Sequence, residues 1–293
     1  MSFVVFDLEW NSAAPGKAGV CENHPELPFE IIEIGAVKLS AEVKPVATFT
    51  ANVRPQVYKK LNKYIARVTR RSQASLSQGD PFPLAVSKFI DFCGNDVILA
   101  SWGVSDPQVL KQNIDYHHLD TSFFNQALNL QVLFAHMAEG GQNSQQRSIE
   151  YALEFLDIET DLSFHNALND ARYAGRILNA LLLKSKTEEE RKATLRPYLY
   201  DPFLQREKSW QTTVAAGRNA EATIREQEFI CPACQRHLTT DEAIISTKKQ
   251  KRWSWRLNCE KHGRLNCVIS RRRHEGKDIY HFKLTLPYPP NGD

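Results

Sequence analysis

Short apolar runs separated by polar turns mark the first fifty residues. Val4-Val5-Phe6 is a β-branched and aromatic run that ends in acids, which predicts a buried first strand. Residues 31–39 predict a second strand, and the alternation across 46–53 predicts a third after the turn at Lys44-Pro45. The stretch 12–29, rich in Pro, Gly, Asn and Ala, predicts a loop. Because only a short turn separates the second and third predicted strands, we expect these strands to be antiparallel neighbours in one sheet.

From about residue 60 the apolar spacing becomes helical. The predicted helices open at Pro83, Ser105, Ser148 and about Ala167, and the last one runs to Leu183. A short apolar run at 97–100 predicts a fourth strand between the first two helices. Strands first, then strand–helix alternation, predict an α/β fold with a mixed sheet and helices packed against it.

The composition changes towards the end of the chain. We expect an α/β domain over 1–184, a polar and partly helical connector over 185–228, and a small β-rich domain over 229–293. Residues 1–220 hold 23 Lys/Arg against 25 Asp/Glu, whereas residues 221–293 hold 14 against 9. A basic end region is compatible with a polyanionic partner, but charge alone does not establish one.

No apolar run approaches the roughly 18 residues that suggest a membrane span. The N-terminal sequence lacks the basic and apolar regions of a secretory signal, so we expect a cytoplasmic protein. Four of the six cysteines cluster at 231, 234, 259 and 267, which favours metal binding over disulfides in a reducing compartment.

Asp7 and Glu9 are two residues apart on the first predicted strand, so their side chains share one face. Two adjacent acids repel each other, and hard cations such as Mg²⁺ or Mn²⁺ prefer carboxylate oxygens. The pair therefore indicates a metal site. A solvated strand end with two unrelated acids is the alternative that the pair alone leaves open.

Asp170 lies on the apolar stripe of the last helix, in line with Ala174, Ile177 and Leu181. A charged group on that stripe points inward and needs a metal or a charged partner. A salt bridge to a core arginine is the structural alternative.

His165 precedes Asp170 by five residues. In one continuous helix the two side chains would be about 140° apart, so they converge only if His165 lies in the preceding loop. A histidine beside a carboxylate–metal site can accept a proton from water, since its pKa is near neutrality.

Three motifs resemble those of the DEDDh exonucleases, a DnaQ-like branch of the ribonuclease H-like fold. They are Phe6-Asp7-Leu8-Glu9, the strand Ile32–Val37, and His165-Asn166-Ala167-Leu168-Asn169-Asp170-Ala171. The resemblance covers residues 1 to about 183 and implies a mixed five-stranded sheet flanked by helices. It also places Asp106, at the start of a helix, as one more metal-binding aspartate. Val68-Thr69-Arg70-Arg71 departs from the Thr-Gly-Ile segment usual in the family, so nucleotide contacts there are expected to differ.

The resemblance implies a 3′→5′ exonuclease that releases nucleoside monophosphates from RNA or DNA. Asp7, Glu9, Asp106 and Asp170 would hold two Mg²⁺ or Mn²⁺ ions, and His165 would be the general base. Single-stranded or 3′-overhang substrates are expected, and homodimers are frequent among the relatives. No residue distinguishes RNA from DNA.

The cysteine cluster predicts a structural zinc site in the small domain. Cys231 and Cys234, then Cys259 and His262, are separated by two residues in each half, as in tetrahedral zinc sites. Cys267 is an alternative fourth ligand, although it lies in a predicted strand. Reduced cysteines without metal remain a second alternative. A domain as small as 229–293 buries little apolar surface, so it needs a structural metal ion for stability.

Cations and tryptophans around this cluster predict nucleic-acid contacts, because phosphates attract cations and bases stack on aromatic rings. The alternative places both tryptophans in the small core. Two more arginines come from the segment 68–71, which differs from the family pattern. The candidate contact residues are therefore Arg70, Arg71, Lys251, Arg252, Trp253, Trp255, Arg271 and Arg272.

Two other classes of function remain open. The chain could be a nucleic-acid-binding module that lost turnover, or a scaffold whose zinc domain binds another protein. All five expected catalytic positions are occupied by the required residue types, which favours the enzyme.

Overall fold

The computed structural model describes residues 2–13, 23–120, 124, 126–141, 146–247 and 251–287. It divides into two compact units, Met1–Phe203 and Leu204–Asp293. The boundary falls within the segment predicted as a connector. Part of the predicted loop, residues 14–22, lies outside the described residues.

The first unit is built on a mixed sheet of six strands. They are β1 (Ser2–Asn11), β2 (Glu30–Leu39), β3 (Pro45–Asn52), β4 (Val97–Ser101), β5 (Ala127–Asn129) and β6 (Leu199–Tyr200). Their order is β3-β2-β1-β4-β5-β6. β1 and β2 pair antiparallel, as do β2 and β3, whereas β4 runs parallel to β1 and β5 parallel to β4. The mixed sheet is therefore confirmed, with a two-residue sixth strand added from the predicted connector.

Helices cover both faces of this sheet. They are α1 (Lys63–Thr69), α2 (Gln73–Ser77), α3 (Phe82–Cys93), α4 (Ser105–Tyr116), α5 (Leu130–Met137), α6 (Ile149–Phe155), α7 (Ala167–Leu182) and α8 (Glu188–Leu195). Alternate residues of β1 point to opposite faces, so Phe3 and Val5 pack with α5, α6 and α7, while Val4 and Phe6 pack with α3 and α4. Two apolar cores thus sandwich the sheet between helical layers.

The second unit is a five-stranded antiparallel sheet with one helix. Its elements are β7 (Glu207–Ala215), α9 (Ala220–Arg225), β8 (Ile245–Thr247), β9 (Arg252–Cys259), β10 (Gly263–His274) and β11 (Lys277–Thr285). The strand order is β7-β11-β10-β9-β8. One face of the sheet carries the core of this unit, which includes Trp255, Cys267 and Phe282. Across the described part of the chain, no helix has the length and apolarity needed to cross a membrane.

Candidate active site

β1 places Asp7 and Glu9 on one side of the sheet, and these acids alternate with the buried residues Phe6 and Leu8. In the antiparallel register Asp7 lies opposite Gly35 and Glu9 lies opposite Glu33. The register shifts just after Glu9, where β1 is irregular. Such irregularities in a strand often re-aim side chains beside active sites.

Gly35 allows the start of α7 to approach the sheet. A Cβ at this position would collide with backbone atoms of Ala167 and Leu168. The Glu33 carboxylate on the same strand accepts a hydrogen bond from the Ala167 backbone N–H. This close packing brings Asp170, in the first turn of α7, over the acids of β1.

The three acids Asp7, Glu9 and Asp170 converge, with ligand oxygens that all lie within 4.8 Å of one another. Asp170 is 8% exposed, and its Oδ2 accepts a hydrogen bond of 3.0 Å from the His165 backbone N–H. Its Oδ1 is buried and has no partner among the described residues. A lone buried carboxylate oxygen aimed into an acidic cluster fits a hard cation better than a core salt bridge.

Mutual repulsion and burial disfavour the charged forms of these acids. Burial, then the charges of Asp106 and Asp170, raises the pKa of Asp7 well above its usual value. Burial and then Glu33 raise the pKa of Glu9 to about 8. Burial is also the largest cause for Asp170, where it raises the pKa to about 6. A divalent cation would offset these unfavourable charges.

Asp106 lies beside this group, in the first turn of α4, and is 5% exposed. Its Oδ1 accepts a hydrogen bond of 3.0 Å from the Leu8 backbone N–H, which ties α4 to the acid-bearing strand. Burial raises the pKa of Asp106 to about 7. It is outside the group of three whose oxygens lie within 4.8 Å, but its charge is the largest single electrostatic influence on Asp7.

His165 lies in the turn immediately before α7, as the spacing required. Its backbone φ of 61° lies in the left-handed region, which turns the chain into the helix. Asn166 then caps α7 by accepting a hydrogen bond of 3.1 Å from the Asn169 backbone N–H. The exposed His165 side chain is close enough to Asp170 that its charge lowers the pKa of that acid.

Glu33 and Arg71 form a contact that the sequence did not reveal. Glu33 is 1% exposed, and Arg71 pairs with it through a hydrogen bond of 3.1 Å from Nε to Oε2 and a second guanidinium contact. Arg71 also bonds Asn52. Arg71 thus neutralises a buried acid, and its predicted contact with nucleic acid stays a prediction. An acid inside the otherwise apolar strand 31–37 is the signal that could have indicated Glu33.

A basic cleft of about 680 Å³ opens beside Arg71. Its cationic lining residues are Lys59, Lys60, Lys63 and Arg71. Arg70, at the C-terminal end of α1, is exposed with a left-handed φ of 56°. The first unit thus places cations close to the ion pair that borders its acidic cluster.

Trp253 and Trp255 are buried in the core of the second unit, so neither ring is available to stack on a base. Trp253 and Trp255 are 4% and 6% exposed, because both side chains point into the apolar core on one face of the sheet. Arg271 shares their face of the sheet, lies over the Trp253 ring at 5.6 Å, and is 3.8 Å from Asp278. The predicted nucleic-acid contacts at Trp253, Trp255 and Arg271 are corrected. Core packing buries the two tryptophan rings, and Asp278 pairs with the arginine. Lys251, Arg252 and Arg272 are exposed.

Cys231, Cys234, Cys259 and His262 form a second candidate metal centre, with ligand atoms within 4.8 Å of one another. The Cys231 Sγ–His262 Nδ1, Cys234 Sγ–Cys259 Sγ and Cys259 Sγ–His262 Nδ1 distances are 3.4, 3.6 and 3.7 Å. Zinc bonds of about 2.0–2.3 Å in a tetrahedron place ligand atoms roughly 3.4–3.8 Å apart. The donor set and its spacing therefore fit zinc.

Positive φ angles close the turns around this centre. Gln235, directly after Cys234, has φ of 60°, and Gly263, directly after His262, has φ of 71°. Cys267 lies inside β10 and is fully buried, which raises the pKa of its thiol to about 12. It is not among the four convergent groups, so the structure brings His262 rather than Cys267 to the cysteines.

The chain is similar in sequence and in fold to known exonucleases. The probable 3′-5′ exonuclease KapD of Bacillus subtilis (strain 168) is 29% identical over 178 residues, which are 60% of this chain and 82% of KapD. The nuclease domain of 3′hExo, a DEDDh family member bound to rAMP, superposes with a TM-score of 0.55 at 22% identity, covering 64% of this chain and 94% of that one.

A second solved structure matches more of this chain. E. coli Exonuclease I in complex with a dA16 oligonucleotide has a TM-score of 0.52 at 12% identity, covering 92% of this chain and 54% of that one. At such identities the structural likeness establishes the fold. The sequence profile of the Exonuclease (RNase_T) family matches residues 4–178, more than half of the chain, and this range contains Asp7, Glu9, Asp106, His165 and Asp170. The chain therefore belongs to the Exonuclease (RNase_T) family.

Proposed function

We propose that the chain is a metal-dependent 3′→5′ exonuclease that removes nucleoside monophosphates from the 3′ end of RNA or DNA. The observation that carries this proposal is the convergence of the half-buried Asp7 and Glu9 with the buried Asp170, whose Oδ1 has no partner among the described residues. KapD and 3′hExo, both named as 3′ exonucleases, support the polarity.

Asp7, Glu9, Asp106 and Asp170 would hold two divalent cations, Mg²⁺ or Mn²⁺. When bound, such ions lower the pKa of a water molecule and neutralise the charge on the phosphate. The carboxylates orient the cations, and the two apolar cores on either side of β1 keep the strand rigid. Cations held there would offset the repulsion between these carboxylates and the scissile phosphate.

His165 serves as the general base in this proposal. Its side chain is exposed, and it lies close enough to Asp170 to lower the pKa of that acid. The neutral imidazole accepts the proton of the attacking water, and the leaving 3′-oxygen is protonated from solvent.

The basic cleft lined by Lys59, Lys60 and Lys63 supports binding of the substrate backbone within the first unit. Arg71 neutralises Glu33 and lowers the charge cost at Glu9, so its role in the proposal is to position the acidic cluster. A strand end with a free 3′ terminus, single-stranded or overhanging, fits an open cleft of this kind.

We further propose that Cys231, Cys234, Cys259 and His262 hold one structural zinc ion. All four positions of a tetrahedron are filled by protein atoms, which leaves no position for a substrate. Residues 1–184 form the catalytic domain and 229–293 the zinc-binding domain in this proposal. Thiolate ligation supports a cytoplasmic location, because reducing conditions keep such cysteines unoxidised.

A nuclease assay tests the proposal against a binding module or a scaffold. A 5′-labelled 20-mer is incubated with Mn²⁺ or Mg²⁺, as matched RNA and DNA, single-stranded and duplex. We expect a ladder that shortens from the 3′ end with release of monophosphates. Asp7→Asn should lower the rate about 10³-fold, since metal catalysis supplies several kcal/mol and each 1.4 kcal/mol is tenfold.

Asp91→Asn is the matched control, because Asp91 is an exposed acid of α3 outside the cluster. Its rate should equal that of the wild type. Binding of the oligonucleotide without cleavage would favour the binding module. Full activity of Asp7→Asn, or activity without divalent cations, would reject the exonuclease mechanism.

A further inference from the structure

One face of the sheet of the second unit is exposed or half-buried among the described residues. In β9 the buried residues Trp253, Trp255 and Leu257 alternate with Arg252, Ser254, Arg256 and Asn258. The β7–β11, β11–β10 and β10–β9 pairings all run without a register shift, so same-face residues line up in rows across the sheet. The face opposite the tryptophans is called the outer face below.

The outer face is strongly cationic. On the four long strands β7, β9, β10 and β11 it carries one acid, Glu207, and six cations: Arg252, Arg256, Arg264, Arg272, Lys277 and Lys283. Residues 204–293 as a whole hold 17 Lys/Arg against 10 Asp/Glu, whereas residues 1–203 hold 20 against 24. The positive charge of the chain is therefore concentrated in this unit.

Acidic side chains lie close to three of these cations. Glu207 pairs with Lys283 at 3.0 Å, and Glu242 lies 3.9 and 3.8 Å from Arg256 and Arg264. Exposed pairs of this kind contribute at most about 1 kcal/mol. Like charges in one sheet repel, so a face of this composition is stabilised by a polyanion.

A groove of about 620 Å³ follows the middle of the outer face. Its floor is the row Gln211, His281, Ser270 and Arg252, which pair one with the next across four strands. Lys251 and Lys283 also line it. Its polar and cationic side chains match a phosphodiester backbone, and Trp210, Val268 and Phe282 contribute apolar parts of the lining.

We propose that the outer face binds the backbone of a single-stranded nucleic acid without sequence preference. The proposal rests on the proposed exonuclease function for the identity of the polyanion and deepens it by adding a binding surface in the second unit. A flexible single strand can follow the groove floor, whereas a stiff duplex reaches only the cationic rim. Contacts through phosphates make the binding strongly salt-dependent.

The test measures binding of fluorescein-labelled dT20 to the full chain by anisotropy, in buffer without Mg²⁺ or Mn²⁺ so that no cleavage occurs. Arg252→Gln with Arg272→Gln removes two outer-face cations. We expect about tenfold weaker binding and a slope of log K against log salt that is smaller by about 1.4, from roughly 0.7 per lost phosphate contact. A blunt 20-bp duplex should bind the wild type more weakly than dT20.

The matched control is Arg218→Gln with Arg236→Gln, two cations of the same unit that lie off the sheet and pair with Glu226 and Glu260. It removes the same charge and should leave both the affinity and the salt slope unchanged. Equal losses in the two double variants would overturn the proposal, because net charge would then explain them. Unchanged binding of dT20 by the outer-face variant, or equal affinity for the duplex, would also overturn it. Melting temperature and zinc content verify that each variant is folded.

Hydrolysis of the dinucleotide pdTpdT with Mn²⁺ separates this proposal from the exonuclease proposal, since a dinucleotide has too few phosphates for a second electrostatic contact to contribute much. We expect the outer-face variant to cleave pdTpdT at the wild-type rate but to show a raised KM for dT20. If the outer-face variant cleaves both substrates with no change in KM, the outer-face proposal is rejected and the exonuclease proposal stands. Absence of cleavage by the wild type, with weakened dT20 binding by the variant, would reject the exonuclease proposal and retain the surface.

Discussion

The four acids of the candidate catalytic cluster come from three places in the chain, and the charges of Asp106 and Asp170 raise the pKa of both Asp7 and Glu9. Asp7 and Glu9 are on β1, Asp106 opens α4, and Asp170 is in the first turn of α7. Without cations the folded chain therefore holds protons that the unfolded chain releases. Cation binding and folding stability are coupled through these groups.

This coupling predicts a pH-dependent stability of the cation-free protein. Glu9 has a pKa of about 8 in the fold against an ordinary value of 4.5, so its protonated form stabilises the fold at low pH. That contribution is complete below about pH 4.5 and disappears as the pH rises through 8. Glu9→Gln stays uncharged, so its melting temperature should rise relative to the wild type between pH 5 and 8.5.

Differential scanning calorimetry without divalent cations measures this gap, and Mn²⁺ should reverse its sign at pH 8, because only the wild type gains the full ligand set. A gap that stays constant with pH would show that Glu9 is charged in the fold at every pH tested.

At His165 the backbone conformation decides which substitution is informative. The residue has φ of 61°, a conformation that asparagine adopts more readily than most residues. His165→Asn should therefore keep the turn and the hydrogen bond from the residue 165 N–H to Asp170 while removing the base. We expect kcat to fall about 10²–10⁴-fold with KM little changed. Single-turnover cleavage of a labelled 20-mer measures this, and a loss confined to KM would assign His165 to substrate binding.

The sequence allowed the positions of Asp7, Glu9, Asp170 and His165 to be predicted because local periodicity determines which way each side chain points. Arg71 was different. Its pairing with Glu33 depends on the register of β2 and on the turn after α1, and no local pattern reports either. The alternation along β9 predicts that Trp253 and Trp255 share one face of the strand. It does not predict that this face is buried, because that depends on the pairing of β9 with β10 and of β10 with β11.

At the scale of elements, the contact between β2 and α7 positions the site. Gly35→Ala should push the start of α7 away from the sheet, since the added Cβ meets backbone atoms that cannot rotate aside. We expect a stability loss of about 1–3 kcal/mol or more from overpacking. The rate should fall about 10²-fold, because a displacement of about 1 Å at Asp170 is sufficient for that loss.

Gly175→Ala is the control for this prediction. It adds a Cβ in the same helix, but 3.2 Å from the side-chain Cγ1 of Val37, which can shift by a few tenths of an ångström. Urea unfolding and the oligonucleotide assay compare the two variants. Equal effects on the rate would mean that the closeness of β2 to α7 does not position Asp170.

Elements of the predicted connector were the hardest to derive. Residues 185–228 are polar, yet α8 and β6 belong to the first unit and β7 and α9 to the second. β7 alternates exposed and half-buried residues, and it pairs along its whole length with β11, some seventy residues later. An edge strand with little apolar content has its structure fixed by that distant partner, so periodicity alone does not identify it.

At the scale of the whole molecule, the two units have separate cores and opposite charge. The acidic cluster and its two apolar cores belong to residues 1–203, and the core around Trp253 and Tyr280 belongs to residues 204–293. The second unit has only about ninety residues, so its own burial provides a small margin of stability. A zinc ion at the Cys/His centre would contribute a large part of that margin, since structural zinc binding is worth about 10–16 kcal/mol.

Loss of this zinc should therefore unfold the second unit and spare the first. Cys259→Ser removes one of the four convergent ligands, and native mass spectrometry should show that one zinc ion per chain is lost. Limited proteolysis should then cut after about residue 203, while pdTpdT cleavage persists, because all the catalytic acids lie in the first unit. Cys267→Ser alters a buried core thiol of the same sheet and should keep the zinc despite a lower melting temperature. If Cys267→Ser loses the ion and His262→Ala keeps it, then Cys267 is the fourth ligand, and β10 must shift towards the metal when the ion binds.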